Sequence, residues 1–214
     1  MTAMFAAFAY AAMFVIHIKV GFLTFDVKDA IIAICAMIFG PLAGVAVALL
    51  VAFVEMITVS STGFWGFLMN FISSAVFAAA ASTVYRYAPR VKKHLNGAII
   101  GLFCSVLLTT GVMLVLNLLI TPIYTGQPVA GIAAMIPTLL LPFNLIKSIM
   151  NAALVLVLYK PISSALKKAR VIESTGESYK FGKTSVLLAV VGGLIIIGCA
   201  AVFILVMGGK FSWI

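Results

Sequence analysis

The chain alternates between long apolar runs and short polar breaks. The first run covers about Thr2 to Ile18, the second about Ala30 to Phe39, and the third about Leu42 to Val59, with Glu55 towards its end. Three more follow at about Phe64 to Tyr85, Leu95 to Leu119 and Thr138 to Tyr159; the last continues as an amphipathic stretch to Arg170. A final run, about Thr184 to Met207, is rich in Gly, Ile and Val and has no polar stripe. A bilayer-crossing helix needs about 20 mostly apolar residues, which most of these runs supply. The second is too short to span unless its helix starts near Asp26.

The breaks carry their own signals. Lys19 to Asp29 is a polar connection, and Gly40-Pro41 is a tight break that puts Pro41 in the first turn of the next helix. Ser60 to Gly63 reads as a turn and Arg86 to His94 as a basic loop. Ile120 to Pro137 has no charge but holds Pro122, Tyr124, Gly126, Gln127, Pro128, Gly131 and Pro137. That mixture predicts a structured loop lying on or dipping into the bundle. The chain therefore divides into a membrane domain over 1–170, a cytoplasmic linker over 171–183 and an accessory transmembrane helix within 184–214.

Composition turns this pattern into a class. Of 214 residues, 64% are hydrophobic and only 9% charged, with mean hydropathy +1.27. Soluble domains carry about 25% charged residues. The prediction is an all-α polytopic membrane bundle. Outer-membrane barrels are excluded because their strands run to about 10 alternating residues. The net charge of +9 does not point to nucleic acid, because the basic residues cluster beside the spans. With the N-terminus inside, ten basic residues fall in cytoplasmic segments (Arg86, Arg90, Lys92, Lys93, Lys160, Lys167, Lys168, Arg170, Lys180, Lys183). Lys19, Lys28 and Lys210 fall outside, a positive-inside bias. Cys35, Cys104 and Cys199 are far apart in apolar segments and read as small buried hydrophobes, with no disulfide or metal site. Met1 to Ile18 lacks a basic leader and reads as a true first span.

One run breaks the apolar rule. Asn144, Lys147, Ser148 and Asn151 fall within about a third of the circumference of a helix. A lysine at bilayer depth costs about 2.5–3.5 kcal/mol on insertion scales, so it faces a cavity, a partner or a ligand. The same topology brings the Lys19–Asp29 connection, Trp65, Asn70, Asn117 and Tyr124 to the outer side. An outward-opening pocket fits them, with apolar and aromatic walls and amides and one ammonium at its floor. Amides both donate and accept, which suits a neutral heterocycle with alternating donors and acceptors. Blander readings stand beside this one. Asn144 and Asn151 would bond between helices, Lys147 would pair with Glu55, and Trp65 would sit in an interfacial belt. Tyr124 would pack in its loop, and Asp26 and Asp29 would cap the second helix. Glu55 itself is expected near the outer interface, solvated. No catalytic constellation appears: two histidines and five carboxylates, expected mostly at the surface, form no hydrolase or nucleotide motif and no carboxylate relay, so the chain is not read as an enzyme.

Several segments resemble the substrate-binding S components of energy-coupling factor (ECF) transporters. They are Phe22-Leu23-Thr24-Phe25-Asp26-Val27-Lys28-Asp29, Phe39-Gly40-Pro41-Leu42-Ala43-Gly44, Ser61-Thr62-Gly63, Gly66, Met69-Asn70-Phe71, Leu141-Pro142-Phe143-Asn144-Leu145-Ile146-Lys147 and Leu158-Tyr159-Lys160. Within the family they look like the riboflavin-specific branch. The similarity runs from about Thr2 to Arg170. It implies a six-helix S component in a bacterial cell membrane, the final run being a seventh helix that the family pattern does not require. It implies capture of riboflavin from outside, with no resident cofactor. Docking to a transmembrane coupling subunit and two cytoplasmic ATPases would follow, through a small-residue face at Ala3, Ala7 and Ala11. Asn144 and Lys147 match flavin-binding positions, with Asn117 as a third; Thr24, Asp29, Trp65, Asn70 and Tyr124 follow by location and Asn151 from the polar stripe, and the Lys19–Asp29 loop would close over the vitamin. Another vitamin such as thiamine or pantothenate, or a self-sufficient secondary carrier, remains the alternative.

Overall fold

The computed structural model describes residues 1–60, 62–89, 95–168, 183–207 and 211–213. Helix α1 (Thr2–Val15) is followed by a hairpin of β1 (His17–Val20) and β2 (Leu23–Asp26). Then come α2 (Lys28–Phe39), α3 (Pro41–Thr58), α4 (Gly63–Tyr87) and α5 (Leu95–Thr125). A short α6 (Val129–Ala134) leads through a π-helical turn (Ile136–Leu140) into α7 (Leu141–Lys168). The chain closes with α8 (Lys183–Met207) and β3 (Phe211–Trp213). Five of the described helices are long and apolar enough to cross a membrane: α3, α4, α5, the π turn with α7, and α8.

The bundle forms around α2, which is short but almost wholly buried. Ala30, Ile32, Ala33, Ile34, Cys35, Ala36 and Met37 all face other helices, and α1, α3, α4 and α7 pack around them. A helix that is apolar on every side is stable only in such an interior position. The Gly40-Pro41 break works as expected. Gly40 adopts φ 115°, a conformation only glycine takes without strain, and Pro41 starts α3. Gly44 then lets α3 lie against α2, because a Cβ there would overlap the Ala36 methyl. Arg86, in the last turn of α4, donates to the Ile38 carbonyl at 2.6 Å and satisfies the end of α2.

Three expectations change in this fold. The Lys19–Asp29 connection is not an irregular loop but an antiparallel hairpin, with His17 opposite Asp26 and Val20 opposite Leu23. Ile18, Val20, Leu23 and Phe25 share one face of it, packed in an apolar cluster, and His17, Lys19, Thr24 and Asp26 share the other, the period of a strand. Helix α2 starts at Lys28, and neither Asp26 nor Asp29 caps it. The Ile120–Pro137 segment does lie on the bundle: α5 continues to Thr125, and Ile132 of α6 is fully buried. Cys104 is exposed on α5 rather than buried. Arg90, Lys92, Lys93, His94, Arg170, Lys180, Lys210 and the linker 171–182 lie outside the described residues.

Candidate functional site

The hairpin rests on the end of the bundle, fixed by a buried ionic chain. Lys147 of α7 donates to Asp26 Oδ2 at 2.9 Å and to the Thr24 carbonyl at 3.0 Å. Lys28 donates to the same Asp26 oxygen at 3.0 Å and to Glu55 Oε1 at 3.0 Å. Asn151 adds a third tie, accepting from the Ala30 amide at 2.9 Å and donating to the Asp26 carbonyl at 3.1 Å. Ser74 of α4 donates to Asp29. Burial alone would push the Asp26 carboxyl up, but the Lys147 and Lys28 ammonium groups hold it well below the usual carboxylate range.

This chain corrects the sequence reading at three points. Asp26, Asp29 and Glu55 are buried, so these carboxylates are not surface groups. Glu55 pairs with Lys28 and not with Lys147 or solvent. Lys28 is 1% exposed and is no loop charge. Buried charges persist only when paired, and here one carboxylate bridges two ammonium groups.

Beside the hairpin lie two adjoining hollows of about 410 and 510 Å³, counting their open mouths. The larger hollow is lined by Phe22, Leu23 and Thr24 of the hairpin, by Thr62, Gly66, Met69, Asn70 and Ser73 along α4, by Met113 and Tyr124 of α5, and by Phe143, Asn144 and Lys147 of α7. Gly66, Asn70 and Ser73 recur every three or four residues and so share one face of α4, with Thr62 just ahead of the helix in the same row. That stripe of small and polar residues was readable in the sequence, although only Asn70 was singled out. The smaller hollow adds His17, Lys19, Glu55 and Ser60.

The predicted residues divide into two sets. Thr24, Asn70, Tyr124, Asn144 and Lys147 meet at the larger hollow. Asn144 spends one amide hydrogen on the Leu140 carbonyl at 2.8 Å, and no other bond to its side chain is made among the described residues. The π turn just before α7 carries the Leu140 carbonyl that anchors it. The second set lies elsewhere. Asn117 is fully buried, bonded to the Met113 carbonyl and Thr121. Asn151 and Asp29 are absorbed by the hairpin and α4 ties above. Trp65 is not part of the hollow's lining and sits half-buried in an apolar cluster with Met69, Met113 and Tyr124. Ala3, Ala7 and Ala11 form an exposed face of α1, opposite the buried Phe5, Ala9 and Met13.

A family model described as the substrate-specific component of ECF transporters matches residues 1–159. The chain belongs to this family. A curated relative of this S component is the riboflavin transporter RibU of Staphylococcus aureus (strain TCH60), 26% identical over 153 residues. The match covers 69% of this chain and 78% of the relative. A solved structure, described as the structure and mechanism of the S component of a bacterial ECF transporter, superposes with a TM-score of 0.64 at 26% identity. It covers 78% of this S component and 95% of its own chain. The family is one of membrane transport subunits and not of enzymes.

Proposed function

We propose that this S component binds riboflavin from the outer side of a bacterial cell membrane. It would hand the vitamin to an ECF coupling subunit driven by two cytoplasmic ATPases. The observation that carries the reading is the hollow under the hairpin, where aromatic and thioether walls (Phe22, Phe143, Tyr124, Met69, Met113) surround amides and a single ammonium. A flat, uncharged ring system with a polar edge matches such a lining. The resemblance to RibU agrees with it. Asn144, Lys147 and Asn70 would meet the polar edge, and Thr24 and Thr62 the hydroxylated chain. The exposed Ala3, Ala7 and Ala11 face would receive the coupling subunit, since small residues let helices approach closely. The N-terminus would be cytoplasmic by the charge bias.

The test is a fluorescence titration of purified protein with riboflavin, thiamine and pantothenate. Saturable quenching by riboflavin alone is expected; binding only of one of the charged vitamins sinks the reading. Uptake into vesicles by the purified chain without ATPase subunits would instead favour a self-sufficient carrier.

A further inference from the structure

The chain carries an element beyond residues 1–159, the part matched by the family. Helix α8 lies along α7, where Gly192 sits so close that an added Cβ would overlap the Val157 side chain. Near its other end Phe203 is 3% exposed. Its ring is 4.4 Å from that of Phe25 on β2 and 6.3 Å from that of Phe143 on α7. Past α8, β3 pairs antiparallel with β1: Trp213 stands opposite Ile18, Ser212 opposite Lys19 and Phe211 opposite Val20. The hairpin is thus the inner part of a three-stranded sheet in the order β2-β1-β3. This pairing also requires α8 to end on the hairpin side, as a seventh crossing would.

An isolated two-stranded hairpin is marginal in water, and a third strand covers the amides that β1 would otherwise leave open. The hairpin therefore has two fastenings. Lys147 and Asp26 hold β2 to α7, and the C-terminal segment holds β1 and Phe25. The second fastening also touches the hollow, because Phe143 is one of its walls and Phe22, Leu23 and Thr24 form its cover.

We propose that α8 and β3 act as a strap that keeps the hairpin closed over the hollow and so sets how fast a bound ligand leaves. Phe203 is a positioning residue, acting through Phe25 and Phe143. The ligand in this statement rests on the riboflavin reading; the strap itself does not.

Three full-length variants test it. Phe203→Ala removes the ring contact, with Phe203→Leu as a milder companion that keeps the helix filled. The double change Phe211→Pro with Ser212→Pro breaks the third strand, because successive N–H groups point to opposite edges and one of the two must face β1. Hydrogen exchange of the amides over 17–26 is read without ligand, and riboflavin release is read by stopped-flow fluorescence. The expected result is hairpin exchange and release each about tenfold faster, with α3 and α4 amides unchanged and association little altered. Wild-type exchange in the hairpin overturns the strap. Faster exchange with unchanged release also overturns it, because the third strand would then be a structural cap without control of the site. Should the unaltered chain bind no riboflavin, the functional proposal fails, while the exchange of the hairpin amides still decides whether the C-terminal segment fastens the hairpin.

Discussion

Asp26→Asn separates holding the hairpin from holding a ligand. Asn keeps the shape and one acceptor oxygen but removes the charge from a fully buried position. Lys147, at 2.9 Å, and Lys28, at 3.0 Å, would then share the chain with Glu55 as the remaining paired carboxylate. At an effective dielectric of about 20, one such pair is worth on the order of 5 kcal/mol of gross Coulomb attraction. Desolvation offsets most of that, and deleting one partner of a buried pair typically costs about 3–5 kcal/mol. Lys28 keeps Glu55 and Lys147 keeps the Thr24 carbonyl, so the loss should sit near the lower end, about 3 kcal/mol. For a chain of this length that is a fall in Tm of roughly 6–12 °C. Asn144→Ala makes the contrast. It removes one bond to a helix carbonyl, about 1 kcal/mol, yet should weaken riboflavin binding by about 1–3 kcal/mol through an unpaired ligand atom. Thermal unfolding in detergent and flavin titration of both variants give the comparison. If Asp26→Asn melts within about 1 °C of the parent, or loses no more than Asn144→Ala, the ionic chain does not hold the hairpin and the reasoning fails. The double change Asp26→Leu with Lys147→Met should recover much of the lost stability, because a buried pair replaced as a unit leaves no orphan charge.

Ala7→Leu should leave riboflavin binding intact and abolish co-purification with the coupling subunit; retained assembly would remove α1 as the docking face. Gly44→Leu should lower Tm by several degrees, since overpacking a close helix contact costs about 1–3 kcal/mol, and an unchanged melting curve would contradict the α2–α3 approach. His17 is held below its ordinary pKa by burial, opposed by Asp26 and reinforced by Lys28, Lys19 and Lys147. The unfolded chain therefore takes up the proton first, and stability should fall as pH drops below about 6.5 towards the lower folded value. His17→Gln should flatten that slope; an equal slope in both proteins would exclude His17 as its source.

The spans were legible in the sequence because a helix in lipid must satisfy its own backbone and present apolar side chains, so composition alone marks it. The observed starts of α3, α4, α5 and α8 fall within a residue or two of the expected ones. The polar row on α7 was equally visible, because a lysine among leucines is costly wherever it points. What the row touches was not. Asn144 stays at the hollow, Asn151 is spent on the hairpin, and Lys147 serves both. Those fates depend on β2 arriving from more than 100 residues earlier, a long-range contact that no local period encodes. The burial of Asp26, Lys28 and Glu55 has the same origin: each looks like a surface charge in its own segment and becomes stable inside only when the others meet it. The C-terminal run was predicted as a helix, but its bond to the hairpin is a matter of parity and register. The count of spans already put the end of that helix on the side of Lys19; that the strand beyond it finds the β1 edge, and in which register, the tertiary structure alone decided.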